Sequence, residues 1–279
     1  MMTRAIPLPL HYRINIVGLL ALCVILFWTM VALFASQLAP HGVGEIVDLD
    51  YFGPMSRQFP VGTDYLGRDM LSRILFGARY TVGISLASVT IACVTGVTLG
   101  MAAAVTGGWF DTALSRFLDA LNSIPSKLFG LVVVAGVGSS IPVLILTMAV
   151  IYTPGSYRFA RALAVNVNTM DFITVARARG EGVPYIIGSE ILPNIIGPVF
   201  ADVGLRFVFI VLLLSGLSFL GLGVQPPDAD WGALVRENIS GLPFGAPAVM
   251  FPSIAIASLT ISVNLLIDNL PKKTRDRSA

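Results

Sequence analysis

Apolar residues in this chain come in long uninterrupted runs, not at the spacing of an amphipathic helix or strand. Ile14 to Gly44, Tyr80 to Phe110, Phe207 to Pro227 and Asn238 to Ile267 carry no Asp, Glu, Lys or Arg. A bilayer-spanning helix needs about 20 such residues. Leu128 to Tyr157 is also uncharged but is interrupted by the turn-forming "GVGSSIP" at residues 136–142. Two spans fit there only if the first starts near Phe117 and includes Lys127. The pattern predicts about six spans, at residues 14–38, 80–106, 117–137, 142–162, 195–222 and 246–268.

Composition agrees with that reading. Of 279 residues, 55% are hydrophobic and 12% charged, against roughly 25% charged in a soluble domain. The expected class is an all-α polytopic membrane protein. The first apolar run is far longer than a signal-peptide core of roughly 7–15 residues, so no cleavable leader is expected. Cys23 and Cys93 sit in apolar runs as small filler, and His11 and His41 are too few and too distant for a metal site.

The basic residues set an orientation. With the N-terminus cytoplasmic, the inside holds Arg4, Arg13, Arg116, Arg158, Arg161, Arg177, Arg179, Lys272, Lys273, Arg275 and Arg277. The outside holds Arg57, Arg68, Arg73, Arg79 and Arg236. Both termini are therefore expected in the cytoplasm. Residues 1–79 would form a first span, an outer loop and an interfacial elbow helix. Residues 80–279 would form a core of five spans.

One cytoplasmic loop, about residues 168–193, stands out. "ARARGEGVPYIIGSEILPN" at 176–194 packs charges, glycines and prolines between greasy runs. It reads as two short helices. Asp171 is the expected N-cap; Phe172, Ile173, Val175 and Ala176 form an apolar side. Gly180 and Gly182 break the helix, Pro184 opens the second, and Pro193 marks entry to the next span. Two roles fit: insertion into a groove on another protein, or lying on lipid headgroups as interfacial helices do.

The spacing of Ala176, Gly180, Leu192 and Pro193 resembles the EAA motif of bacterial ABC importer permeases. Thr174 stands where that motif has its glutamate, and Val175 where it has its first alanine. "FPVGTDYLGRDMLSRILFGAR" at 59–79 and "LSFLGLGVQPPDADWGALV" at 217–235 resemble segments of the dipeptide, oligopeptide and nickel importer permeases, in the same order along the chain. The resemblance covers nearly the whole chain. It implies a type I ABC importer permease fold in the bacterial inner membrane. It also implies a second homologous permease subunit, two ATPase subunits and an extracytoplasmic solute-binding protein as partners, with no nucleic acid. Thr174, Val175, Ala176, Arg177, Ala178, Gly180, Glu181, Gly182, Leu192 and Pro193 would then be the ATPase-coupling loop. The solute would be peptide-like, opine-like or a metal chelate.

The residues themselves exclude an ATP site on this chain. A P-loop needs Gly-Lys followed by Ser or Thr, and none of Lys127, Lys272 and Lys273 follows a glycine. No cofactor is expected here; ATP and Mg belong to the partner ATPases. No converging catalytic set is visible, so an enzyme is not expected. An ion-gradient-driven secondary transporter is the rival reading, but it would show inverted repeats, and the two halves show none.

Three further features carry expectations. Asp64 is expected to cap an outer interfacial helix with Leu66, Met70, Leu71, Ile74 and Leu75 on its apolar side and Arg68, Asp69 and Arg73 on others, serving packing or contact with the binding protein. Gly96 and Gly100 form a small-xxx-small pair suited to close helix approach, with Gly83 a further small position nearby. Lys127, Asp202 and Arg206 lie inside spans, where a charge usually faces a cavity or a partner. Either Lys127 and Arg206 line a wet translocation path that favours anionic solutes, or Lys127 reaches the surface and Asp202 neutralises Arg206.

Overall fold

The computed structural model describes residues 16–244 and 247–269. The expected charges Arg4, Arg13, Lys272, Lys273, Arg275 and Arg277, and His11, lie outside them. The elements, in order, are α1 (Ile16–Leu38), α2 (Met70–Thr106), α3 (Gly108–Asn122), α4 (Ser126–Val137), α5 (Ile141–Asn168), α6 (Asp171–Ala178) and α7 (Val183–Tyr185). A π turn (Ile186–Ile191) leads into α8 (Leu192–Phe219), followed by α9 (Trp231–Asn238), a 3-10 turn (Ile239–Phe244) and α10 (Pro247–Asp268). Among the described residues, helices are joined by loops with two isolated β-bridges.

Five helical stretches are long and apolar enough to cross a bilayer, and α3 with α4 make a sixth only as a bent pair. The expected span 117–137 is thus corrected: the chain turns by 81° between the two helices. Pro125 supplies the reason, because it lacks an N–H and disfavours helix at the residue before it. The 12 residues of α4 rise only ~18 Å. The α3 helix is amphipathic, and its polar side is used to pair with α5.

The helices α2 and α5 run parallel at close range. A side chain on Gly96 would meet Thr153 O and Tyr157 N at 2.9 Å, and one on Gly100 would meet Tyr157 O at 2.7 Å. The small-xxx-small expectation holds for this pair. Gly83 faces open space.

The outer elbow differs from expectation. The helix starts at Met70, is capped by Asp69, whose carboxylate accepts from Ser72 N at 3.0 Å, and runs unbroken past residue 79 to Thr106. Asp64 is fully buried and caps no helix. It accepts from Leu66 N (2.8 Å) and Arg68 N (2.9 Å), from the Arg68 side chain (2.7 Å) and from Arg73 (2.9 Å). Arg68 and Arg73 also reach Glu237 on α9, at 3.1 and 2.7 Å. Paired with two carboxylates, these guanidinium groups can be buried, so they point inward.

The residues before α2, those after α8 and α9 form a cap at one end of the bundle. Val47 and Asp48 donate backbone N–H bonds to Gly67 O, and Phe52 N donates to Asp64 O. Asp230, fully buried, caps α9 by accepting from Gly232 and Ala233 N–H, and it also takes bonds from Ser218 Oγ and Val224 N. Burial pushes its carboxyl above the usual carboxylate range, against the pull of those four donors. Trp231 anchors the cap to the spans: its indole donates to Ile74 O (3.0 Å) and packs edge-on against Trp28 of α1.

Candidate functional site

At the opposite end of the bundle, Asn168 at the close of α5 donates to Ala104 O at the close of α2 (3.0 Å). The polar loop emerges there. The helix α6 starts at Asp171, but Met170 is its N-cap and no side chain caps it; the capping role expected of Asp171 is corrected. Ile173 and Ala176 are buried. Ile173 joins Val97, Met101, Ala164, Ile186, Ile191 and Ile195 in one apolar cluster, which seats the loop on α2, α5 and α8. The chain reverses at Gly180, with φ +85°, a conformation that favours glycine. Glu181 N bonds back to Ala176 O at 3.2 Å.

The remaining positions face outward. Thr174, Arg177, Ala178, Gly182 and Pro193 are exposed, and Glu181 and Leu192 partly so. Val175 is 57% exposed, and Phe172, Val183 and Tyr185 also show apolar surface. Arg177 is steadied by Asn168 Oδ1 at 2.8 Å. The second short helix is not a separate element. From Val183 it continues as one helical rod to Phe219. The π turn includes a bond from Leu192 N to Ile187 O, five residues back. Pro193 cannot donate to Ser189 O, and the wider turn absorbs that break in the ladder.

The rod meets α5 at Arg206. Its guanidinium takes Asp202 as a fork, at 2.6 and 2.9 Å, and lies against Gly155. A side chain there would meet Arg206 Cζ at 3.2 Å. The pair is largely buried between α5 and α8, and Arg206 Nη1 also donates to Tyr152 O of α5 at 3.4 Å. Lys127 is exposed at the start of α4 and forms no ion pair with a described residue, so the three intramembrane charges do not converge.

Sequence reasoning missed two straps between α3 and α5. Asp111 grips Arg161 with both oxygens, beside Tyr157 and Ser115. Asp119 takes two bonds from Arg158, at 2.9 and 2.6 Å. The signal was present: Asp111, Ser115 and Asp119 recur every four residues, one helical face, across the start of the expected span 117–137. Among the described residues no three His, Cys, Asp or Glu side chains gather as a metal site.

Comparison with known proteins decides the family. Residues 96–276 match the family described as "Binding-protein-dependent transport system inner membrane component". The chain belongs to this family. As such an inner-membrane component it is a multi-pass transport subunit, and the expected ABC importer permease class, of the peptide type, holds. It is 30% identical over 256 residues to the dipeptide transport system permease protein DppC of Alkalihalophilus pseudofirmus, covering 92% of this chain and 84% of that one. It is 32% identical over 248 residues to the glutathione transport system permease protein GsiD of Pectobacterium atrosepticum, covering 88% and 82%. The di/tripeptide transport system permease protein DppC of Pseudomonas aeruginosa is 31% identical over 266 residues, covering 93% and 87%.

Proposed function

We propose that this permease is one half of the translocation path of an ATP-driven importer for small peptides or peptide-like solutes such as glutathione. A soluble binding protein delivers the solute at the cap, and both termini and the loop at 168–193 are cytoplasmic. A second permease completes the path, and two ATPase subunits hold the ATP and Mg. The relatives named for dipeptide and glutathione transport support the solute class.

The observation that carries the reading is the mounting of the loop. Its inner face is locked into the bundle by Ile173 and Ala176. Its outer face offers Phe172, Val175, Val183 and Tyr185 to a partner groove. Because Val183 to Phe219 is one rod, an ATPase that shifts the loop shifts α8 with it, and Arg206 against Gly155 passes the movement to α5. Thr174 replaces the motif's glutamate, so the contact is apolar and not built on that carboxylate. Of the intramembrane charges, Lys127 is the one left to face the path; Asp202 and Arg206 hold two spans together. Co-expression with the neighbouring transport subunits, purification and peptide uptake into ATP-loaded proteoliposomes tests the function. Uptake that requires ATP and the binding protein supports it. Uptake driven by an ion gradient without ATP overturns it.

A further inference from the structure

Beyond the spans, the cap holds a cleft of about 330 Å3 bounded by Tyr65, Ser218, Gly221, Gln225, Arg236 and Glu237. The acidic group on its wall is already used: Glu237 accepts from both Arg68 and Arg73. Arg236 is different. Its side chain is exposed and makes no ion pair or hydrogen bond with a described residue. Yet its guanidinium rests against the main chain at Gly221. Gly221 sits at φ +90°, and a side chain there would meet Arg236 Cζ and Nη1 at 2.9 Å and Nη2 at 3.0 Å. The guanidinium plane therefore lies flat on the Gly221 backbone. Its planar fork of donors is preorganised for a carboxylate taken in two-pronged fashion.

We infer that this cleft is a docking socket for an acidic side chain of the solute-binding protein, with Arg236 as its receptor. The inference rests on the importer reading above, which puts the cap on the extracytoplasmic side. A free solute carboxylate is the weaker fit. One exposed ion pair in water contributes about 0–1 kcal/mol, too little to hold a small molecule in an open cleft. A protein brings the rest of an interface, and the cap supplies apolar ground for it. Leu66, next to Tyr65 on the cleft wall, is exposed. The loop laced to Gly67 adds Ile46, Leu49 and Tyr51, with Leu49 92% exposed. Such side chains around a charge pair exclude water and strengthen it. The support is stiff: the ion network of Asp64, Arg68, Arg73 and Glu237 fixes this loop segment to α9.

The test measures binding of the dipeptide-loaded binding protein to the whole transporter in lipid nanodiscs, for the natural complex and for Arg236→Gln, Arg236→Lys and Arg116→Gln. Arg116 is exposed at the opposite end and serves as the control. Arg236→Gln is expected to weaken binding about tenfold and to flatten its salt dependence, with Arg236→Lys between. Arg116→Gln is expected to bind unchanged. Equal affinity and equal salt dependence for Arg236→Gln and the natural complex overturns the socket while leaving the importer intact. Absence of binding to the natural complex overturns the importer reading, and the socket with it. Loss of peptide competition for the cleft, with binding-protein affinity unchanged in Arg236→Gln, assigns the carboxylate to the solute and also overturns the inference.

Discussion

Arg73 and Glu237 stand 164 positions apart, and a 2.7 Å hydrogen bond joins them inside the cap. With Asp64 and Arg68 they tie the start of α2 to α9, two segments that the chain visits at opposite ends of its path.

Cutting this knot leaves its buried charges unbalanced, two guanidinium groups on one carboxylate or two carboxylates on one guanidinium. Glu237→Ala or Arg73→Ala is expected to destabilise by about 3–5 kcal/mol, because Arg73 is 1% exposed. Thermal unfolding of the purified complex in detergent checks this. Arg73→Lys should rescue little, since one ammonium replaces a guanidinium that bridges two carboxylates.

The contact of α2 with α5 gives an internally controlled glycine series. Gly96→Ala and Gly100→Ala push a methyl into the α5 backbone and are expected to cost about 1–3 kcal/mol. Gly83→Ala meets nothing within 4 Å and should be neutral or slightly stabilising, as alanine is the better helix former. Melting temperatures of the three variants check the order.

Asp230 makes stability depend on pH with a definite sign. Its folded-state pKa is raised by burial, so the folded cap binds the proton more tightly than the unfolded chain does. Its contribution is fully present below the ordinary carboxylate value of about 3.9 and is lost as pH rises through the raised value. The natural protein should therefore lose melting temperature relative to Asp230→Asn, which cannot ionise, as pH rises from acidic toward neutral. Unfolding curves across that range, read pairwise, measure it.

The intramembrane charges are expected to separate by function. Gly155→Ala drives a methyl against the Arg206 guanidinium and should lower stability with little change in which solutes are carried. Lys127→Ala should leave stability unchanged and reduce uptake of peptides with extra carboxylates more than of neutral ones. Melting and competitive uptake with an acidic and a neutral dipeptide distinguish the two.

Long apolar runs made the spans legible before any coordinates, and spacing alone brought out Gly96 with Gly100 and the turn at Gly180. What stayed hidden depended on tertiary partners. Arg68 and Arg73 looked like surface residues because their carboxylates, Asp64 apart, lie on a distant helix. The third span looked continuous because Pro125 weighs little in a hydropathy count, although it turns the chain by 81°. Pro193 read as a helix start, yet a π turn lets the helix pass through it. The polar loop at 168–193 was legible by spacing and composition, whereas its rigid connection to α8 required the backbone.

The central claim is that the loop at residues 168–193 transmits ATPase movement through the α8 rod. Val175→Asp puts a charge on its exposed apolar face without touching the buried Ile173 and Ala176. The decisive measurement is peptide uptake and ATP hydrolysis by the reconstituted complex carrying this variant, with subunit stoichiometry checked by gel filtration. Uptake reduced at least about tenfold per ATP hydrolysed, in an intact complex, is the predicted result. Uptake per ATP equal to that of the natural complex would contradict it.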